Sequence, residues 1–328
     1  MDMESRKNGR DKRIRKNRIT KKHLILMLGV FVVFLSGGCR QKEELPFLAF
    51  SVYEQKTARM AALIGDVLSM AREDGYSIEW RSGDGSIEKQ KADIRELIGR
   101  KPEYLIVVPI QTLGLGEVLE EAREQGIKII FLDGMVDQEE FKDYLTVIRP
   151  DARWEGEECA KLLGAYFGGT EAKILEIQGI AGNSQAQLRS VGFRNQLCEY
   201  PNLELTGAVQ GDFDRVTAGS NLQNFVEKSG SFDGIFCSSD EEGIGVLSVI
   251  GTAKGTEVCP IVSVNGQQDV KKALMAGYYL GSVESSPYLG QELSSIIRRD
   301  MAGEEVEKET LLRGVMYTEE NAKEMQGY

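Results

Sequence analysis

Ten short apolar segments recur along the chain from residue 46 onward, with helix-length stretches between most of them. The segments are continuously apolar rather than alternating, which indicates strands covered on both faces. In residues 58–70, apolar side chains recur at i, i+3, i+4, i+7 and i+8, as in an amphipathic helix. Strands that are each followed by a helix predict an α/β fold with parallel sheets. The predicted strands are 47–52, 78–81, 104–108, 127–132, 145–148, 173–178, 203–209, 234–237, 258–264 and 279–283.

Ten strand–helix units are too many for one sheet and suit two. Single cores stop growing at about 250–300 residues, and the chain beyond its first segment approaches that length. The best boundary between the two halves is 146–153, where a predicted strand runs into Pro150-Asp151. A last strand is predicted at 310–317.

The first segment of the chain has the pattern of an export signal. Ten basic side chains lie in the first 22 residues, and the uncharged run Leu24–Leu35 and the small residues Ser36-Gly37-Gly38 follow. That run has 12 residues, whereas a helix needs about 20 to cross a bilayer. We therefore predict a signal peptide at 1–38, followed by a tether at 39–45.

Cys39 directly follows those small residues, an arrangement that resembles a lipoprotein signal in which the Cys thiol is acylated. The departure is Ser36, where such signals usually have Leu. We expect an extracytoplasmic protein, lipid-anchored through Cys39 to the outer face of the cell membrane. The alternative is an uncleaved anchor with an incidental cysteine.

Composition excludes several classes of function. Ten of the 40 basic and three of the 51 acidic residues lie in 1–38, so the remainder has a net charge of about −18, which argues against nucleic acid as a partner. The single histidine, His23, lies in the predicted signal, which excludes Ser-His-Asp catalysis and His-ligated zinc. The cysteines 159, 198, 237 and 259 form no CxxC motif. We expect no enzyme activity, no metal and no cofactor; a disulfide between Cys237 and Cys259 stays open.

Polar side chains collect where the predicted strands end. Ligands of open parallel sheets bind beyond the carboxyl ends of the strands, so these are the candidate site positions. Residues with several hydrogen-bonding atoms dominate there, beside Tyr53 and Phe213. Forked donors and acceptors next to an aromatic ring fit a polyhydroxylated ring. Asp240, Glu241 and Glu242 open a helix, where acids interact favourably with the helix dipole.

From residue 47 to about 317 the sequence resembles the periplasmic sugar-binding proteins of ABC importers, in particular the ribose- and galactofuranose-binding branch. The resemblance rests on an ordered series of motifs: ILEIQGIAG (174–182), RSVGF (189–193), GDFDR (211–215), CSSD (237–240) and GSVE (281–284). It implies two Rossmann-like lobes joined by three hinge crossings, with a sugar between them. The lobes implied are 46–148 with 286–308, and 149–285 with 309–328.

The same resemblance implies a ligand set. Asp133 matches the family's sugar-binding aspartate and Arg189 its principal arginine. Phe213 matches an aromatic that packs on the sugar, Glu284 a polar ligand beside the hinge, and Arg59 the arginine after the first strand. Ser239 and Asn265 complete the predicted set.

This sequence departs from the family pattern at several positions. Ser239-Asp240 replaces Asn-Asp, Asn265-Gly266 replaces Asp-Gly, Gly134 replaces an arginine, and Pro150-Asp151-Ala152 replaces Ser-Asp-Asn. Each exchange alters the hydrogen-bonding atoms, so the particular ligand stays open. We expect a monomer that delivers a monosaccharide to the membrane permease of an ABC importer. The alternatives are a sensory module for a membrane histidine kinase and, more weakly, an enzyme acting on glycosides.

Overall fold

The structure is a computed structural model that describes residues 45–228, 231–250 and 259–328. The proposed signal peptide and Cys39 lie outside the described residues. None of the helices within the described ranges is long and apolar enough to cross a membrane.

The first lobe is a six-stranded sheet in which every neighbouring pair of strands is parallel. Its strands are β1 (Phe47–Val52), β2 (Ser77–Ser82), β3 (Tyr104–Val108), β4 (Lys128–Leu132), β5 (Thr146–Pro150) and β11 (Glu309–Leu312). Their spatial order is β11-β5-β4-β3-β1-β2. The helices of this lobe are α1 (Ala58–Asp74), α2 (Ile87–Ile98), α3 (Gly116–Glu124) and α9 (Gly290–Met301).

The second lobe repeats the plan. Its strands are β6 (Ala172–Gln178), β7 (Leu203–Gln210), β8 (Gly234–Cys237), β9 (Ile261–Asn265), β10 (Gly281–Glu284) and β12 (Met316–Tyr317). Its helices are α4 (Ala152–Phe167), α5 (Ser184–Leu197), α6 (Arg215–Glu227), α7 (Asp240–Ile250) and α8 (Gln268–Met275). The order is β12-β10-β9-β8-β6-β7, with only β12 antiparallel to its neighbour. The predicted α/β fold of two helix-covered sheets is confirmed.

Both faces of each sheet are buried under helices. In β1, Leu48 and Phe50 pack into one core cluster together with α1 and α9, whereas Ala49 packs into a second cluster with α2 and α3. The continuous apolar runs arise because strands with two covered faces have no solvent side to alternate with. Cys237 is buried in the second lobe, Cys259 is partly buried, and both are free thiols.

In the described residues, the chain passes from one lobe to the other through three segments. The first joins β5 to α4, the second joins β10 to α9, and the third joins β11 to β12. The third corrects the expected boundary, because residues 309–312 pair with β5 in the first sheet and do not belong to the second lobe. The predicted strand 310–317 is two short strands in different sheets. They are separated at Gly314, where an added Cβ would lie 2.3 Å from the carbonyl oxygen of Glu284. This close approach of two crossings leaves no room for a side chain at position 314.

Candidate ligand-binding site

A cavity lies between the lobes at the carboxyl ends of the strands, the place expected for parallel sheets. Its empty space, counted together with open solvent at its mouth, is about 530 Å³. Its lining comes from both lobes: Tyr53, Thr57, Arg59, Val108, Pro109, Asp133, Gly134, Asn183, Gln185, Arg189, Phe213, Ser239, Glu241, Asn265 and Gln267.

Arg59 and Asp133 form the charged part of the first-lobe wall. Asp133 follows β4 with a backbone φ of 61°, an uncommon conformation for a residue with a side chain. Arg59, in the first turn of α1, donates from Nη2 to Asp133 Oδ1 and from Nη1 to the backbone oxygen of Ser285. Burial is the largest single influence and lowers the pKa of Arg59, but the surrounding acidic groups, Asp133 first among them, together raise that pKa above its ordinary value. The two side chains form a salt bridge, which brings opposite charges together.

Arg189 is held by the second lobe and by the crossing after β10. It is 3 % exposed, and its Nε donates to Glu155 Oε2 at 2.7 Å. Nη1 donates to the backbone oxygen of Ser238 at 2.8 Å, and Nη2 donates to Asn265 Oδ1 at 3.3 Å and to Ser285 Oγ at 3.1 Å. A buried charge needs this degree of pairing to be tolerated. Arg189 thus reaches the cavity already neutralised by a carboxylate.

Phe213 supplies an aromatic ring on the second-lobe wall. It lies in the loop between β7 and α6, where Asp212 and Phe213 both have a φ of 56°. Its ring fits against the backbone of Gly179, where an added Cβ would lie 2.2 Å from Phe213 Cε1. A residue larger than glycine at position 179 would therefore displace the Phe213 ring.

Ser239 and Asn265 line the same wall at the ends of two neighbouring strands. Ser239 comes directly before α7, and its backbone N–H donates to Glu242 Oε2 at 2.8 Å. Asn265 ends β9 with a φ of 132° and turns its amide oxygen to Arg189. Non-glycine residues in such conformations persist only where their surroundings hold them, and they cluster at functional sites.

Glu284 does not line the cavity, in contrast to the prediction. It is the last residue of β10 and is partly exposed beside the third crossing, where its N–H donates to the carbonyl oxygen of Val315 at 2.8 Å. Successive side chains of a strand point to opposite sides, so it is the next residue, Ser285, that reaches Arg189. Of the two predicted acidic ligands, Asp133 lines the cavity and Glu284 does not.

The structure adds cavity residues that the sequence did not single out. The main ones are Asn183, Gln185 and Gln267, and the lining also contains Tyr53, which the sequence marks as an aromatic at a strand end. Burial, followed by the nearby Glu54 and Asp133 carboxylates, raises the pKa of Tyr53, so its hydroxyl stays protonated. All four follow strands or open helices. The expectation that ligands bind beyond the strand ends includes their loops, but of these side chains it points only to Tyr53. Within the described ranges, no group of His, Cys, Asp and Glu side chains could hold a metal ion.

The lobes touch along the cavity rim through residues 182–185, which we call the rim segment. The Thr112 N–H donates to the Gly182 oxygen at 2.8 Å, and Asn183 Nδ2 donates to the Ile110 oxygen at 3.2 Å. In addition, the Met135 N–H donates to Ser184 Oγ at 3.2 Å, and Gln185 Nε2 donates to the backbone oxygen of Asp133. The structure therefore shows the lobes closed on each other.

Residues 48–304, about four-fifths of the chain, match the family model described as periplasmic binding protein domain. The chain belongs to this family. The family assignment confirms the resemblance that the sequence motifs indicate.

The chain is similar to the galactofuranose-binding protein of Escherichia coli strain K12. The two are 25% identical over 284 residues, and the match covers 84% of this chain and 89% of the relative. The ribose import binding protein of the same strain is 25% identical over 216 residues, 65% of this chain and 70% of the relative. A solved Mycobacterium smegmatis structure in complex with β-D-fucofuranose has a TM-score of 0.81 at 26% identity, covering 86% of this chain and 94% of that chain. These relatives are solute-binding proteins and not enzymes, in agreement with the prediction for this chain.

Proposed function

We propose that this protein binds a monosaccharide in the interlobe cavity. The observation that carries the proposal is the charge balance of the lining: Arg59 is paired with Asp133, and Arg189 with Glu155. A site with paired charges favours a neutral ligand over an ion, and its remaining hydrogen-bonding atoms suit hydroxyl groups. Phe213 offers an aromatic face for the C–H side of a sugar ring.

The names of the relatives support the same class of ligand. Galactofuranose, fucofuranose and ribose appear in them, and a further solved structure, at 25% identity, is described as bound to α- and β-L-arabinofuranose. Because three of these four names specify a furanose, five-membered sugar rings are the first candidates for this chain. We further propose Arg59, Asp133, Arg189, Phe213, Ser239 and Asn265 as ligand contacts.

A thermal-shift screen tests the proposal. The panel contains D-ribose, L-arabinose, D-galactose, D-fucose, D-allose and xylitol, with sodium acetate and sodium phosphate as ionic controls. A sugar that binds only the folded state at 100 times its Kd stabilises it by about 2.7 kcal/mol, which raises the Tm. We expect a rise with at least one sugar and none with the ions. The proposal fails if every sugar leaves the Tm unchanged, or if only the anions raise it.

We also propose that the protein is a lipoprotein anchored through Cys39 and that it delivers its sugar to an ABC permease. Cys39→Ala is expected to release the protein from the membrane fraction of cells, and Cys198→Ala, at an exposed cysteine, is the control. Retention of the Cys39→Ala variant would favour an uncleaved anchor. Neighbouring permease and ATPase genes would support delivery, whereas a kinase with a response regulator alone would favour sensing.

A further inference from the structure

Glu242 is a buried carboxyl group behind the cavity wall that does not line the cavity itself. It lies in the first turn of α7 and is 0% exposed. Its Oε1 accepts the N–H of Phe213 at 2.9 Å, and its Oε2 accepts the N–H of Ser239 at 2.8 Å. It belongs to none of the salt bridges in the described part of the chain. An acid without a cationic partner at such depth requires an explanation.

The two backbone groups that Glu242 holds belong to the two loops of the second-lobe wall. One is the loop between β7 and α6, with Asp212 and Phe213 in left-handed conformations. That loop approaches the carboxyl so closely that an added Cβ on Gly211 would lie 2.6 Å from Glu242 Oε1. The other loop joins β8 to α7 and carries Ser239. Glu242 is thus the one side chain that ties Phe213 to Ser239 through direct hydrogen bonds in the described residues.

We propose that Glu242 is a positioning residue, which fixes the Phe213 ring and Ser239 at the spacing that the ligand requires. The part of this inference that concerns the ligand rests on the proposed function. The hydrogen bonds from the two loops to Glu242 do not depend on the proposed function.

The chemistry of the side chain fits this task. A carboxyl group offers two acceptor oxygens on one carbon, and each oxygen receives one N–H here. Glutamine has the same shape but only one oxygen, so its NH₂ group would face one of the two N–H donors. Burial raises the pKa of Glu242 to about 8, in spite of both N–H groups, which lower it. The group is therefore held where ionisation is unfavourable, as expected if geometry rather than charge is its purpose.

Amide hydrogen exchange measured by NMR on the ligand-free protein tests the hold directly. Glu242→Gln is expected to accelerate exchange at the N–H of Phe213 or Ser239 at least tenfold, and Glu242→Leu at both. The control is Glu176→Gln, because Glu176 is a buried carboxylate of the same lobe that pairs with Arg194 and lies outside the cavity lining. Glu176→Gln should leave both amides unchanged. Unchanged exchange at both amides in folded Glu242→Gln would overturn the inference.

Calorimetry with whichever panel sugar raises the Tm tests the role in binding. Glu242→Gln should weaken that sugar at least fivefold, whereas Glu176→Gln should stay within twofold even if its Tm falls. Equal affinities for wild type and Glu242→Gln would overturn the positioning role. If no sugar binds the wild type, the proposed function fails, while the exchange experiment still decides whether Glu242 holds the loops.

Discussion

Two arginines reach the cavity, and they differ in how many donors remain for a ligand. A guanidinium has five N–H donors. In the described residues, those of Arg189 make four hydrogen bonds, to Glu155, Ser238, Asn265 and Ser285. Those of Arg59 make two, to Asp133 and to the Ser285 backbone oxygen, and the Tyr328 hydroxyl lies beside the same guanidinium. The residue with the stronger family resemblance thus has less capacity for a ligand than the arginine of the first lobe.

Arg59→Ala should therefore weaken the sugar found by the screen by about 1.5–3 kcal/mol, the usual contribution of a hydrogen bond to a charged group. The substitution also leaves the Asp133 carboxylate without its partner. Glu284→Gln is the control, because Glu284 lies outside the cavity lining. Titration calorimetry on both variants measures the effect. Loss of affinity in Glu284→Gln with none in Arg59→Ala would reverse the assignment of the site.

Two buried acids of α7 predict how stability depends on pH. Burial raises the pKa of Glu242 to about 8 and that of Asp240 to about 6. Both acids keep their protons to higher pH in the folded state than in the unfolded state, so unfolding releases protons in this range. The positive charge of Arg189, which also faces Glu242, lowers the pKa of Glu242, but by less than burial raises it. The free energy of unfolding should consequently fall as pH rises from about 4.5 to about 8, and level off above that.

Glu242→Gln isolates the contribution of one acid. Urea unfolding at pH 5, 6, 7, 8 and 9 should show that the wild type loses stability between pH 6 and 8 relative to the variant. Asp240 still titrates near pH 6 in both proteins, so the upper half of the range belongs to Glu242. Parallel curves for the two proteins would show that Glu242 does not hold its proton as the structure indicates.

At the scale of elements, the sequence predicted the strands well wherever both faces are buried. The predicted bounds of β1, β3 and β8 coincide with the observed ones. The prediction failed at 310–317, because a hydrophobic pattern records burial but not a change of sheet, and the signal for the crossing is a single residue, Gly314. The hydrophobic pattern likewise does not indicate which polar side chain points toward the cavity. It could not show that Ser285, and not Glu284, contacts Arg189.

Close packing of α4 on α5 depends on two glycines. An added Cβ on Gly156 would lie 2.0 Å from the backbone oxygen of Arg189, and one on Gly192 would lie 2.0 Å from that of Arg153. Since the obstructing atoms are backbone, the helices themselves must separate. Separation would also displace Arg189, which is carried by α5. The packing of these two helices therefore sets the position of a cavity residue.

Gly156→Ala should destabilise the protein by about 1–3 kcal/mol, the usual cost of overpacking. Gly65→Ala is the matched control, because Gly65 lies in α1 with no atom within 4 Å of an added Cβ. That variant should gain up to about 1 kcal/mol from its higher helix propensity. Thermal unfolding of both variants gives the comparison. A Gly156→Ala protein as stable as the wild type would show that the two helices can move apart at little cost.

At the scale of the whole molecule, the rim segment joins the second lobe to the first by hydrogen bonds. Its four hydrogen bonds join the start of α5 to the ends of β3 and β4, on either side of the cavity. Gly134 contributes through its small size, because an added Cβ there would lie 3.1 Å from Ser184 Oγ. Closure in such proteins is a hinge motion with two populated states.

Removing two rim contacts should open the ligand-free protein. In Ser184→Ala/Gln185→Ala, the Met135 N–H and the Asp133 oxygen lose their partners, at a cost of about 0.5–1.5 kcal/mol for each bond. The open population rises accordingly, and small-angle X-ray scattering should show a larger radius of gyration than for the wild type. Gln187→Ala, an exposed position on the same helix, is the control and should match the wild type. Identical scattering from all three proteins would show that the crossings, and not the rim segment, keep the lobes together.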